Sequence, residues 1–226
     1  MNFYSNKLSS KKYFKVLNLK KGLNKEFILQ NFGSFGGDKT IFKFLTCFEL
    51  LKKIKKVKGD IVEFGVWNGN NLISIKKIHD YLKLKKKIIG YDHFKGMPKN
   101  SRDFKRNSFR GDLKFLKKLI KFYNFKNIEL INDDILNLKN HLSKFKKFSF
   151  IYIDCDLYST TEKILELLSK KLSKGGLIVF DEGNLNIKKS GETKALKEFF
   201  IKNKKNFSKK YMKKGYQPDV YLEKIN

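Results

Sequence analysis

Two short apolar runs that each end in acidic residues constrain the fold of this 226-residue chain more than any other feature. The runs cover residues 148–153 and 177–180. The segment between them has apolar residues at helical spacing, namely Ile164, Leu165, Leu167, Leu168 and Leu172. Buried parallel strands read as continuous apolar runs, and a helix usually makes the crossover between them. The pattern therefore predicts two neighbouring parallel strands joined by a helix.

The acidic residues that follow these runs mark a candidate functional edge. They are Asp154 and Asp156 after the first run, and Asp181 and Glu182 after the second. Ligands of open α/β sheets bind outside the carboxyl ends of the strands, so we expect these side chains to converge there. Clustered carboxylates repel one another unless a cation or a polar substrate separates them. The chemistry of the protein is predicted at this edge.

The rest of the chain repeats the strand–helix pattern and predicts an α/β fold with a doubly wound, Rossmann-like sheet covered on both faces. Strands are predicted at residues 60–65, 87–92, 127–133, 148–154 and 176–181, and helices at 70–83, 112–123, 137–144, 159–172 and 191–204. A further strand at 220–225 could pair with one near 207–212. An amphipathic helix should follow Asp38 as its N-cap, with Ile41, Phe42, Phe44, Leu45, Phe48, Leu51 and Ile54 on its apolar face. We expect a basic N-terminal extension at 1–37 and one domain at 38–226.

The first predicted strand contains Glu63 and ends in the turn Gly65-Val-Trp-Asn-Gly69. An acidic residue in a buried strand is costly unless a polar group engages it. Gly65 allows a tight turn and a close approach to a ligand, and Gly69 lets the next helix pack near the strand. The spacing is Gly-x-x-x-Gly and not the dinucleotide pattern Gly-x-Gly-x-x-Gly. A cofactor with an ammonium, a carboxylate and a ribose fits better than a pyrophosphate, although both glycines could be purely structural.

Two more predicted strands also end in acidic residues. Asp92 could accept hydrogen bonds from both ribose hydroxyls, or it could be an ordinary turn residue. Asp133 and Asp134 would lie near an adenine ring, or one of them could cap the helix that begins near Leu136. Four successive strands that end in acidic residues favour a ligand site more than any one of them does.

Together these segments resemble the macrocin O-methyltransferase (TylF-type) family of class I S-adenosylmethionine-dependent methyltransferases. The matching blocks lie at residues 59–69, 90–98, 153–160, 175–182 and 191–199, and the resemblance covers about residues 38–226. It implies a seven-stranded sheet with six parallel strands and one antiparallel strand. It also implies S-adenosylmethionine as methyl donor, a divalent cation (usually magnesium), and a hydroxyl acceptor, often on a sugar.

The resemblance assigns roles to individual residues. It implies that Glu63, Gly65, Val66, Asp92 and Asp134 hold the donor, and that Asp154, Asp181 and Glu182 ligate the metal. Asp154 would also be catalytic. Characterised sugar-modifying members use a histidine after the Gly-Met-Pro motif, but residues 99–112 contain none. His93 is the first candidate base because it directly follows Asp92 at the active edge, or else it is a loop histidine without a catalytic role. Asp156 could be a base or support the metal ligands. Glu192 could touch substrate or stabilise a helix N-terminus.

The charge of the chain admits other functions. With 51 basic and 22 acidic residues the formal net charge is +29, but the lysines are scattered through every helix, which favours compositional bias over a nucleic-acid site. The alternatives are an RNA methyltransferase that uses the basic surface, a nicotinamide-dependent oxidoreductase, and a non-catalytic interaction protein with this fold. No apolar run is long enough to span a bilayer, so we expect a cytoplasmic enzyme. The N-terminal segment could mediate homodimer contacts or cover the acceptor.

Overall fold

The computed structural model describes residues 21–98, 105–183, 191–212 and 217–226. Within these ranges one sheet has seven strands in the order β3-β2-β1-β4-β5-β7-β6. The strands are β1 (Asp60–Phe64), β2 (Ile88–Tyr91), β3 (Ile128–Ile131), β4 (Phe148–Ile153), β5 (Leu172–Phe180), β6 (Phe207–Tyr211) and β7 (Val220–Lys224). The first five pair in parallel, whereas β7 is antiparallel to both β5 and β6. The doubly wound sheet is confirmed, with β7 as its antiparallel strand.

Three helices precede the first strand and the others connect the strands; the connecting segments match the predicted pattern with two differences. They are α1 (Lys25–Gln30), α2 (Phe32–Phe35), α3 (Asp38–Lys53), α4 (Asn70–Tyr81), α5 (Leu113–Phe122), α6 (Tyr158–Leu168) and α7 (Gly191–Asn203). The helix predicted at 137–144 is a 3-10 helix, Ile135–Lys144. The fifth strand begins at Leu172, where a helix was predicted, and the 3-10 turn Ser169–Lys171 precedes it.

Apolar side chains cover both faces of the sheet. In β4, Ile151 and Ile153 point into one cluster, while Phe150 and Tyr152 point into the other. This alternation follows from the period of a strand, in which successive side chains leave opposite faces. Helix α6 packs on the first face, and α3 and α4 pack on the second. The carboxyl ends of the central strands are thereby left as an open edge.

The start and the packing of α3 differ from the sequence prediction. Asp38 is the first residue of the helix and Gly37 is the cap, so the carboxylate of Asp38 lies in the first turn, where it complements the positive helix end. Of the predicted apolar face, Leu51 and Ile54 are buried, but Phe42 and Leu45 are 46% and 56% exposed. The buried face is instead rotated toward Cys47 and Leu50.

The N-terminal part that the structure describes contains α1 and α2. The side chain of Asn24 caps α1 by accepting a hydrogen bond from the amide of Phe27 at 2.7 Å. Neither helix has a buried residue, and the boundary between extension and domain at residue 38 stays a prediction. Among the residues that the structure describes, no helix combines the length and apolarity that a membrane crossing requires.

Candidate active site

A cavity of about 350 Å³ opens at the carboxyl ends of the central strands. Every residue predicted to bind cofactor or metal lines it: Glu63, Gly65, Val66, Asp92, Asp134, Asp154, Asp181 and Glu182. His93, Asp156 and Lys43 also line its wall. The expected convergence of strand-end carboxylates therefore occurs, because parallel strands bring their carboxyl ends to one edge. What each residue does there depends on its contacts.

Glu63 is buried, and one of its two carboxylate oxygens has no hydrogen-bond partner among the described residues. Its side chain is 1% exposed, and its Oε1 accepts a hydrogen bond from the Asn71 amide at 3.0 Å. Its Oε2 is buried and has no hydrogen-bond partner among the residues that the structure describes. Burial raises the pKa of Glu63 well above its ordinary value. An unpaired buried acceptor beside a cavity is costly, so this oxygen fits a donor group brought by a ligand, such as an ammonium.

The turn after β1 is shaped by contacts within the protein. Asp92 Oδ2 accepts hydrogen bonds from the amides of Val66 and Trp67, both at 2.8 Å, and its Oδ1 accepts one from the amide of Phe94 at 2.7 Å. Gly65 has φ of +83°, and a Cβ there would lie 1.8 Å from the carbonyl oxygen of Asp154. Gly65 is thus required by the close approach of two chain segments. Its role and that of Asp92 toward a cofactor stay predictions.

Gly69 lies close to a second element, α5. It has φ of +84°, and a Cβ there would lie 2.4 Å from Cδ1 of Leu116 in α5. The glycine therefore also leaves room for α5 beside the start of α4.

The acidic pair after β3 forms local contacts. Asp134 caps the following 3-10 helix by accepting a hydrogen bond from the amide of Leu136 at 2.9 Å. Asp133 accepts hydrogen bonds from Asn137 and His141, which lower its pKa to about 2. The capping alternative is therefore confirmed for Asp134, and its predicted contact with the cofactor is untested by this geometry.

One ring nitrogen of His93 already has a hydrogen-bond partner, and its role as a base stays a prediction. Its Nδ1 accepts a hydrogen bond from the amide of Lys95 at 3.1 Å. In a neutral imidazole the proton then lies on Nε2, which donates and does not accept. His93 would have to break the Lys95 contact to act as a base through Nδ1.

Lys43, which the sequence analysis did not single out, reaches the acidic cluster from α3. Its Nζ donates to Asp181 Oδ1 at 2.8 Å and lies 3.4 Å from Asp154 Oδ2. The hydroxyl of Tyr152 also donates to Asp181 Oδ1, and Lys43 Nζ lies 5.5 Å from the centroid of the Tyr152 ring. Burial lowers the pKa of Lys43, but the charges of Asp181 and Asp154 raise it more, so the lysine stays protonated.

A signal for Lys43 was present in the sequence. Lys43 shares the helical spacing of Cys47, Leu50, Leu51 and Ile54, whose side chains are all 0% exposed. A lysine on the buried face of an amphipathic helix is rarely tolerated unless an acid pairs with it. That spacing predicts a buried cation but does not say which carboxylates it meets.

The other acidic residues of the cluster have raised pKa values, and one of them accepts hydrogen bonds from three backbone amides. Burial and the charge of Asp181 raise the pKa of Asp154 to about 7, and burial and the charge of Asp154 raise that of Asp156. Glu192 is fully buried, and its carboxylate accepts hydrogen bonds from the amides of Cys155, Asp156 and Glu182 at 2.7, 3.0 and 3.1 Å. Glu192 therefore ties the loops after β4 and β5 together. It also lies in the first turn of α7, the position expected for stabilisation of a helix N-terminus, and its contact with substrate stays a prediction.

The predicted magnesium ligands do not form a three-carboxylate site. Two of them, Asp154 and Asp181, already bind the Lys43 ammonium. Oε1 of the third, Glu182, lies 3.4 Å from the Gln217 amide. In the described part of the chain, no group of three His, Cys, Asp or Glu side chains is arranged to hold a metal ion. The residues present thus fit the methyl donor better than they fit a divalent cation.

Comparison with known proteins adds independent evidence. The chain matches the family model described as macrocin-O-methyltransferase (TylF) over residues 31–212. It is similar to the 8-demethyl-8-(2,3-dimethoxy-alpha-L-rhamnosyl)-tetracenomycin-C 4'-O-methyltransferase of Streptomyces olivaceus, with 28% identity over 140 residues, 56% of this chain and 53% of that protein. The chain therefore spans about half the length of this curated relative.

Solved structures share the fold at low sequence identity. The TDP-rhamnose 3'-O-methyltransferase CalS11 has a TM-score of 0.76 and 21% identity, and the match covers 99% of this chain and 96% of CalS11. The O-methyltransferase NovP has a TM-score of 0.65 and 18% identity, with 85% and 82% of the chains covered. A Bacillus cereus O-methyltransferase in complex with SAH has a TM-score of 0.56 and 16% identity, with 96% and 97% covered. The class I methyltransferase fold is confirmed.

Proposed function

Because the chain belongs to the macrocin-O-methyltransferase (TylF) family, we propose that it transfers the methyl group of S-adenosylmethionine to a hydroxyl of a sugar or glycosylated small molecule. The observation that carries the proposal is the unpartnered, buried Oε2 of Glu63 in the wall of the strand-end cavity. The ammonium of the donor's methionyl part supplies the hydrogen bonds that this oxygen lacks. The sugar acceptor is supported by the similarity to two O-methyltransferases that act on rhamnose or a rhamnosylated compound.

The protein's part in donor binding is mainly to hold a preformed shape. Asp92 fixes the turn through three backbone hydrogen bonds, from Val66, Trp67 and Phe94, and its remaining lone pair is available to a ribose hydroxyl. Asp134 lies in the cavity wall farther along the edge, on the side proposed for the adenine. A pocket that is rigid before binding does not lose conformational entropy when the ligand enters.

The acceptor hydroxyl must be aligned with the methyl group and must lose a proton. The donor supplies a methyl group already activated by a positive sulfur. Alignment alone can lower a barrier by several kcal/mol, up to roughly 7–11 in favourable cases. Asp154 is proposed as the base, since a carboxyl group whose pKa is about 7 can accept a proton near neutral pH. This choice replaces His93, whose Nδ1 is occupied by Lys95.

Magnesium assistance, a homodimer and a cytoplasmic location stay predictions. A cation beside Asp154 and Asp181 is part of the proposal, because a positive charge near the acceptor oxygen stabilises the charge that develops there. Magnesium as its source is tested by turnover in excess chelator, with magnesium added back. Light scattering on the purified chain tests the dimer.

The proposed function is tested in two steps. Calorimetry should detect S-adenosylmethionine binding, while NAD should not bind. Incubation with labelled donor and TDP-rhamnose, together with a panel of rhamnosylated compounds, should give a product heavier by one methylene unit. Total RNA belongs in the same panel, since transfer of label to RNA and to no small molecule would favour the RNA methyltransferase alternative. Absence of donor binding would contradict the proposal.

A further inference from the structure

We infer that the ammonium of Lys43 is the resident cation of this site, and that it takes the place that a divalent metal ion would occupy between Asp154 and Asp181. The inference deepens the proposed methyl transfer, and its catalytic part rests on that function. Its structural part concerns only which cation the acidic cluster binds, and that can be measured without any acceptor.

The position of the ammonium is the first argument. Lys43 Nζ lies 2.8 Å from Asp181 Oδ1 and 3.4 Å from Asp154 Oδ2, so a single charge bridges the ends of β4 and β5. These two carboxylates belong to the predicted metal set. A metal ion that bound these same two oxygens would lie close to where the ammonium lies.

The lone pairs of Asp181 give the second argument. Its Oδ1 accepts hydrogen bonds from both Lys43 and the buried hydroxyl of Tyr152. These two donors use both lone pairs of the oxygen. A cation that used Oδ1 as a ligand would have to displace at least one of these donors and would face the positive charge of Lys43 nearby.

The anchoring of the lysine is the third argument. Lys43 lies on the face of α3 that buries Cys47, Leu50 and Leu51, each 0% exposed, so packing fixes the helix from which it extends. Its own side chain is only 18% exposed. A half-buried lysine on a helix packed in this way, with both carboxylates as partners, belongs to the site.

The ammonium also has a use in the reaction. It has three N–H donors, of which two point at Asp181 and Asp154, and Lys43 lines the cavity. The third can donate to the acceptor oxygen. During transfer the acceptor's O–H proton passes to Asp154, its oxygen forms a bond to the methyl carbon, and the electron pair of the S–CH3 bond stays on sulfur. The products are a methyl ether and a neutral sulfide.

Binding of Mn²⁺ to the full chain, followed by electron paramagnetic resonance, tests the inference. The wild-type protein should bind Mn²⁺ at this cluster with a Kd no lower than the millimolar range. Lys43→Met should bind Mn²⁺ about tenfold more tightly than wild type, because the carboxylates then lack their cation. Lys43→Arg keeps the charge and should behave as wild type. The double variant Lys43→Met, Asp181→Asn should lose the gained site.

The outcomes separate this inference from the proposed function. Wild-type binding of Mn²⁺ at micromolar concentration that Asp181→Asn abolishes would overturn the inference, and so would the absence of any gain in a folded Lys43→Met. If Lys43→Met does not fold, the Mn²⁺ affinities of the wild type and of Lys43→Arg still show whether the cluster binds a divalent cation. Calorimetry with S-adenosylmethionine on the same samples tests the proposed function separately. If the wild type does not bind the donor, the proposed function fails, but the Mn²⁺ result still decides which cation the cluster holds.

Discussion

Replacing Glu63 by glutamine removes the charge of this carboxylate while it keeps its size and its contact with Asn71. The buried Oε2 has no partner in the described structure, and the proposed partner is the ammonium of the donor. A hydrogen bond to a charged group contributes about 1.5–3 kcal/mol. At about 1.4 kcal/mol for each factor of ten, Glu63→Gln should raise the Kd of S-adenosylmethionine by about 10- to 150-fold.

The pH dependence of the same binding gives a second, independent measurement. Burial raises the pKa of Glu63 in the free protein, so part of the population is protonated below that raised value. A bound ammonium favours the ionised carboxylate and lowers the pKa again. Binding should therefore release a proton, and affinity should rise with pH until the pH exceeds the raised pKa of the free protein.

Isothermal titration calorimetry in buffers with different ionisation enthalpies measures both quantities. Wild type should show proton release, and Glu63→Gln should show none. Glu129→Gln is the matched control, because Glu129 pairs with Lys87 outside the cavity and is 38% exposed. If Glu63→Gln bound the donor as tightly as wild type and proton release were unchanged, Glu63 would not contact the donor and the reasoning would be refuted.

Three further predictions follow from the local geometry. Gly65→Ala should give little soluble protein, because the new Cβ would lie 1.8 Å from the carbonyl oxygen of Asp154. The control Gly33→Ala, whose Cβ would have nothing within 4 Å, should express and melt as wild type. Equal yields of the two variants would contradict this prediction. Asp92→Ala should weaken donor binding by about 1–3 kcal/mol, since three backbone amides lose their acceptor, and unchanged calorimetric affinity would remove Asp92 from the site. Any RNA binding, measured in a filter assay, should be independent of RNA sequence and should fall steeply with salt, because the charge of +29 is dispersed. A sequence-selective RNA complex at physiological salt would contradict this prediction.

The sequence by itself determined the sheet and the edge at which the site lies. The periods of strands and helices are local properties of the sequence. Because neighbouring parallel strands are joined by a crossover helix, the two apolar runs were enough to predict that Asp154 and Asp181 lie at adjacent strand ends. The placement of Glu63 inside β1 followed in the same way, and its unpaired oxygen agrees with the expected need for a polar ligand.

Only the tertiary structure decided which partners the polar side chains take. Glu192 binds the amides after β4 and β5, and Asp92 gives its oxygens to the β1 turn, although neither pairing is visible in a local pattern. Lys43 and Asp181 are 138 residues apart, and their contact depends on how α3 is rotated against the sheet. Local spacing fixes which residues share a face, but long-range packing selects the face that is buried and the charges that meet there. The source of positive charge at this site is therefore a tertiary property.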